Sequence, residues 1–282
     1  MRALLFSLLV LLSISACGPK WYYPHLDWLL PWYVSDYITL APAQRTELQR
    51  RLVRQLDWHC RSELPVYAAF LRKVQQDVEK QTSGFSKQQI RLYYTNIRFL
   101  YNNLIINVAP DLAAILRTAS DAQIEELFAN LEARNRELAA RYVDPPPAMV
   151  TQERYERMSE RLAEWIGALD QNQLAMVEDW SRDLGADNAP WLANRRQFQQ
   201  GLRRLLADRG RRSDFTPQLA ALIASPPQTE SYRRRHDRRT ALTLDLLTGI
   251  GNTLSPGQRR HLASRLEALA DDFEDLACGA DP

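Results

Sequence analysis

From about residue 40 onward, apolar positions recur every three or four residues, the spacing of helices with one buried face. The stretch 262–276 shows the pattern, with Leu262, Leu266, Leu269, Phe273 and Leu276 on one side. No useful length of chain alternates apolar and polar positions as a half-buried strand would, and glycine is scarce. Proline divides the pattern instead. Pro65, Pro110, Pro190 and Pro217 read as first-turn prolines, where the missing N–H has no helical partner to lose. "VDPPPAM" (143–149) and "ASPPQT" (224–229) are the clearest breaks. Together these signals predict an all-α fold of about eleven helices packed as antiparallel hairpins. The break at 143–149 is a candidate boundary between two lobes of the helical domain 39–282.

A short pattern recurs at helix starts: "LAPAQR" (40–45), "FSKQQI" (85–90), "ASDAQI" (119–124), "LDQNQL" (169–174) and "LSPGQR" (254–259). Ser86, Ser120, Asp170 and Ser255 stand where a cap oxygen accepts the N3 amide. The glutamines at 44, 89, 123, 173 and 258 stand where a side chain reaches back to the cap amide. Ala41 occupies the first cap position, so that copy has half a box. The irregular spacing of the glutamines argues against a solenoid and fits ordinary helix starts.

The first residues have a different pattern. Arg2 precedes an apolar run from Ala3 to Leu12, too short for a bilayer, which takes about 20 residues, and suited to a secretory signal. Ile14-Ser15-Ala16-Cys17 then resembles a bacterial lipobox. The resemblance implies removal of residues 1–16 and acylation of Cys17, which would anchor the chain in a membrane. By the sorting rule of Gram-negative lipoproteins, Gly18 in second place implies the outer membrane, facing the periplasm. In that oxidising compartment two thiols remain, Cys60 and Cys278, and the expectation is one disulfide between them. Two buried free cysteines are the alternative.

The anchor-proximal segment 17–38 is rich in aromatics: Trp21, Tyr22, Tyr23, Trp28, Trp32, Tyr33 and Tyr37. Such side chains suit a membrane–water boundary or a docking patch. Leu26, Leu29, Leu30, Tyr33 and Tyr37 equally form a stripe that would pack the first helix on the body, leaving Trp28 and Trp32 outside. Trp28, Trp32, Asp27 and Asp36 are the candidate partner-binding residues, and an envelope protein the expected partner.

The formal net charge of +2 argues against nucleic acid. It is uneven, however. Residues 195–239 carry twelve arginines against Asp208, Asp214, Glu230 and Asp237, while the last helix is acidic. Arg233, Arg234, Arg235, Arg238 and Arg239 are a candidate site for anionic lipid, since guanidinium forks match phosphate. Solvated basic faces, partly paired with the acidic last helix, are the other reading.

Catalytic signatures are lacking: no G-x-S-x-G, H-E-x-x-H, Walker A loop, G-x-G-x-x-G or C-x-x-C occurs. His59 and Glu63 would share a helix face, but a metal needs more ligands, and neither metal nor cofactor is expected.

Two resemblances close the reading. "LDWLLPWYVSDYITLAPAQR" (26–45), "WHCRSELPVYAAFL" (58–71) and "LADDFEDLAC" (269–278) resemble a proteobacterial lipoprotein family of unknown function over nearly the whole mature chain. The glutamine boxes are similar, locally, to the LTxxQ motif of periplasmic Spy/CpxP-type chaperones, although no copy has the threonine. The resemblances imply a helical envelope protein with a non-catalytic role as scaffold, adaptor or holdase. The competing class is an envelope hydrolase acting on peptidoglycan or lipid.

Overall fold

A computed structural model describes residues 18–80 and 84–279. The expected signal segment 1–16 and the acylation candidate Cys17 lie outside the described residues. Every regular element among the described residues is helical, in ten unbroken stretches. α1 starts as Pro19–Tyr22, tightens through the 3-10 turn Tyr23–His25 and continues as Leu26–Ser35. α2 runs as Pro42–Trp58, one π turn His59–Glu63, and Leu64–Lys80. There follow α3 (Lys87–Arg117), α4 (Asp121–Tyr142), α5 (Pro147–Ile166) and α6 (Gln171–Asp183). The last four are α7 (Ala189–Ala207), α8 (Phe215–Ala224), α9 (Glu230–Asn252) and α10 (Pro256–Leu276).

Two prolines expected in first turns stand inside helices. Pro110 lies within α3, on an exposed side of the helix that it shares with Ile106, whose carbonyl loses its helical donor. Pro65 follows the π turn of α2, in which the Leu64 N–H donates to the His59 carbonyl, five residues back. In that register the Cys60 carbonyl would be met by Pro65, which has no N–H. It accepts instead from the Cys278 N–H at 3.3 Å. A local defect of the helix thereby becomes a docking point for the chain's end.

The expected disulfide is present: Cys60 and Cys278 are bonded, with Cα atoms 5.1 Å apart. Arg61 Nη1 donates to the Gly279 carbonyl at 2.9 Å beside it. α10 lies antiparallel along the second half of α2, its apolar face inward as its spacing predicts, with Ala263, Leu266 and Ala270 buried. Elsewhere α8 packs on α3, α7 on α4, and α6 on both α5 and α9.

Buried apolar residues gather in three clusters. Leu116, Ile124, Leu206, Phe215 and Leu219 fill one, where α3, α4, α7 and α8 meet. Leu162, Val177, Trp180, Leu246 and Ile250 fill the second, between α5, α6 and α9. Val78, Phe85, Ala263 and Leu266 fill the third. Each fully buried Leu or Phe contributes about 1.5–3 kcal/mol of transfer free energy.

Four of the five glutamine boxes come together as two pairs. At the start of α2, Gln44 Oε1 accepts the Ala41 N–H at 2.8 Å. At the start of α4, Gln123 does the same for Ser120 at 2.9 Å. The two side-chain amides then bond each other reciprocally, at 3.1 and 2.7 Å. Each also donates to the loop before the other's helix, Gln44 to the Thr118 carbonyl and Gln123 to the Thr39 carbonyl. The starts of α6 and α10 repeat the scheme. Gln173 and Gln258 pair at 2.9 and 2.8 Å and donate to the Thr253 and Ala168 carbonyls. The partners are 79 and 85 residues apart, so the boxes are more than helix starts: they clamp distant helix N-termini side by side. The fifth box differs. Ser86 caps α3, but Gln89 donates to the Tyr93 hydroxyl, and the Phe85 N–H goes to Asn252 Oδ1.

Candidate functional site

α1 starts at Pro19, one residue after the first described residue, and lies on the first half of α2. Gly18 lies against α10, where a Cβ would meet the Asp272 carboxylate. Lys20 bridges Asp272 at 3.3 Å and Asp275 at 2.5 Å. Tyr22 is buried. The residues that directly follow Cys17 are therefore strapped to the C-terminal helix, which the disulfide ties in turn to α2.

The strap continues through Tyr23. Its hydroxyl lies 3.0 Å from His59 Nδ1, and the two rings stack with centroids 5.7 Å apart. Tyr67 also meets the imidazole edge-on, at 5.5 Å. Burial pushes the Tyr23 hydroxyl up to about 12 and the His59 imidazole down to about 4, so both are neutral at physiological pH. Glu63 does not pair with His59. Glu63, itself buried, accepts instead from Asn103 Nδ2 at 2.6 Å.

This geometry predicts a pH effect. His59 titrates near 4 in the fold and near 6.5 when exposed, so between those values the unfolded chain binds a proton that the folded chain does not. Stability is fully present above about 6.5 and is lost as pH falls toward 4, by about 2–3 kcal/mol at most. Melting curves of wild type and His59→Gln across that window should converge as pH falls. A constant gap would show that the His59 proton is not linked to folding.

The outer side of α1 stays open. Trp21, Trp28 and Trp32 are 63%, 56% and 62% exposed. His25 stands between the first two, its ring 6.1 Å from Trp21 and 6.2 Å from Trp28. Trp21, His25, Trp28 and Trp32 follow the i, i+4, i+7, i+11 spacing of one helix face. That spacing was in the sequence, although Trp21 and His25 were not among the expected partner-binding residues. The inner stripe is shallower than expected. Leu26, Leu29 and Tyr37 are half-buried, while Leu30 and Tyr33 are exposed, because no residue of Leu26–Ser35 is covered from more than one side. Asp27 sits half-buried in the first turn of Leu26–Ser35, where a carboxylate suits the helix dipole. Asp36 caps the other end, exposed. Nine residues of helix hold the two about 13 Å apart along the axis, so they do not form an acid/base pair.

α3 is long and apolar enough to cross a membrane by length and composition, yet it packs on α2, α8 and α9. It also leaves Leu92, Phe99 and Ile106, spaced by seven, exposed.

Among the described residues, the ion pairs of the acidic last helix are made with residues outside 195–239. Asp271 and Glu274 bind Arg72, and Asp272 and Asp275 bind Lys20. Arg196, Arg203 and Arg209 reach instead to Glu132, Glu125 and Asp121 of α4, which packs against α7. In "YRRRHDRR", Arg233 turns back to Glu230 at 2.6 Å, and Arg235 meets Asp187 at 2.8 Å. Arg234, Arg235, Arg238 and Arg239 line one cleft together with Arg154 and Trp191, two residues that no local pattern had linked to them. Among the described residues no three His, Cys, Asp or Glu side chains are grouped to hold a metal.

No curated protein and no solved structure matches the chain. Residues 36–233 match the model of DUF6279, a family of unknown function, and the chain belongs to that family.

Proposed function

We propose that the protein is a lipid-anchored, periplasm-facing component of the bacterial outer membrane that acts without catalysis, as a scaffold, adaptor or holdase for an envelope protein. The observation that carries the reading is the open aromatic face of α1. Trp21, Trp28 and Trp32 stay exposed on a helix that starts two residues after the acylation candidate Cys17. Aromatic surface of this kind is common where proteins meet partners and at membrane–water boundaries. The seven-residue stripe of α3 adds a second apolar contact strip. The lipobox and the likeness to a proteobacterial lipoprotein family support the address. The likeness of the glutamine boxes to Spy/CpxP-type chaperones supports the holdase form of the role, although four of the five glutamines here are engaged with one another.

One experiment tests both parts. Cells expressing the wild type should hold it in the membrane fraction, and Cys17→Ala should release it or leave it unprocessed. The wild type purified in neutral detergent should suppress aggregation of an unfolded envelope protein at equimolar ratio. Trp28→Ala with Trp32→Ala should weaken that suppression with little change in melting temperature, since both side chains are exposed. Unchanged membrane retention of Cys17→Ala would remove the anchor. Absence of suppression by the wild type would remove the holdase role.

A further inference from the structure

A cleft of about 570 Å³ opens where the last turn of α6, the loop 184–188, the first turn of α7 and the first turns of α9 meet. Arg234, Arg235, Arg238 and Arg239 project into it from one side of α9, and Arg154 enters from α5. Thr229 caps α9 by accepting from the Tyr232 N–H, and this places the arginines over the end of α6. Trp191, from α7, supplies an aromatic wall. Five arginines thus line the cleft with two carboxylates, Asp183 and Asp187, while Arg234 lies 3.6 Å from Glu230 beside it. Arg235 already holds Asp187 at 2.8 Å.

Arg154 decides the reading. It is 8% exposed, and no carboxylate among the described residues pairs with it. Its Nη1 donates to the carbonyls of Ser181, at 3.0 Å, and Gly185, at 2.9 Å. Arg238 Nη2 donates to the neighbouring Asp183 carbonyl at 3.1 Å. Two full positive charges therefore converge on the C-terminus of α6, whose dipole offers only about half a negative charge. A buried guanidinium is ordinarily balanced by an anion. Here burial and the neighbouring Arg157 both work against its charge. The surplus of positive charge in a half-enclosed space is what an anionic ligand would neutralise.

We propose that this cleft binds a phosphate-bearing ligand, held by the guanidinium groups of Arg154, Arg238 and Arg239, with Trp191 against its organic part. Phosphate fits better than carboxylate. Its greater charge and several acceptor oxygens engage more than one guanidinium fork at once. The volume falls in the usual range for small-molecule sites, about 300–1,000 Å³, so it admits a phosphate together with a polar organic group. That chemistry has two sources, a soluble phosphorylated compound or a phospholipid headgroup.

Calorimetric titration of the full-length protein in neutral detergent separates them. The probes are inorganic phosphate, glycerol 3-phosphate, and short-chain phosphatidylglycerol, with short-chain phosphatidylcholine as the zwitterionic comparison, all at one low chloride concentration. Saturable binding of glycerol 3-phosphate or inorganic phosphate supports a soluble ligand. Saturable binding of phosphatidylglycerol alone supports a headgroup. In either case Arg238→Ala with Arg239→Ala should weaken binding at least about tenfold, the effect of losing charge-assisted hydrogen bonds. Arg211→Ala, which lies outside the cleft and is 86% exposed at its side chain, should leave binding unchanged. If the double variant melts early, Arg234→Ala, whose side chain is 72% exposed, replaces it, with a smaller loss in the same direction. The proposal is overturned if none of the three anionic probes binds saturably, or if the cleft variants bind as tightly as the wild type.

Discussion

Reduction of the Cys60–Cys278 bond is expected to lower the unfolding midpoint by roughly 10 °C. The bond joins residues 218 apart, and chain-entropy arithmetic for a loop of that size gives about 5 kcal/mol as an upper bound. In a domain this large, each kcal/mol moves the midpoint by about 2–4 °C. Reductant can reach the bond, because Cys278 is exposed although Cys60 is buried. The fold should survive the loss near room temperature. α10 stays on α2 through its apolar face and through Arg72, which binds Asp271 and Glu274. Scanning calorimetry of the wild type with and without reductant, beside Cys60→Ser with Cys278→Ser, measures the effect. The reduced wild type and the double variant should melt together. If reductant leaves the midpoint unchanged, or if the denatured native protein shows two free thiols, the expectation fails.

Gln173→Ala should destabilise the protein by about 3–4 kcal/mol, far more than an ordinary capping change of about 1. Gln173 is fully buried, and its amide makes every hydrogen bond open to it. Oε1 accepts from the Asp170 N–H and from Gln258 Nε2, while Nε2 donates to Gln258 Oε1 and the Thr253 carbonyl. Alanine removes all four, which takes the acceptor from the Asp170 N–H, a donor from the Thr253 carbonyl and one partner from each end of the Gln258 amide. Gln173→Glu is the sharper probe. It keeps the shape and the acceptors but loses both donors, and it sets a carboxylate oxygen against Gln258 Oε1. Its penalty should shrink as pH falls and the carboxyl regains one proton to donate. Denaturant unfolding of both single variants and of Gln173→Ala with Gln258→Ala gives the coupling. Because the two substitutions share the reciprocal amide pair, the double variant should cost less than the sum. Additive losses would mean that the two boxes act separately.

Much of the fold is legible along the chain because helices are local. The stripe of Leu262, Leu266, Leu269, Phe273 and Leu276 predicts the inward face of α10, and Ser120, Asp170 and Ser255 predict where α4, α6 and α10 start. The prolines mislead for an equally local reason. Leu64-Pro65 reads as a boundary, since proline removes a donor, but a π turn absorbs that loss, and α2 runs on to Lys80. Pro110 is tolerated inside α3 because it and Ile106, whose carbonyl loses its helical donor, lie on an exposed side of the helix.

Of the candidate sites, the outward set of Trp28 and Trp32 follows from spacing alone. The arginine cluster was visible as composition, but its meaning was not. Sequence complementarity pointed to the acidic last helix, yet those carboxylates had nearer partners in Lys20 and Arg72. The buried Arg154 and Trp191 come from helices far along the chain, and no periodicity joins them to residues 234–239.

The all-helical class, the capped helix starts and the aromatic character of the first helix are written in the local sequence. All of these depend on neighbours within one or two turns, where covalent spacing sets geometry. Long-range packing, in contrast, brings Gln44 to Gln123 and Gln173 to Gln258, seats Cys278 on the Cys60 carbonyl, and gathers five arginines into one cleft with two aspartates. Those choices depend on which helix faces pack together across dozens of residues. Side-chain shape and the satisfaction of buried polar groups select among pairings there that the pattern of apolar positions leaves equivalent.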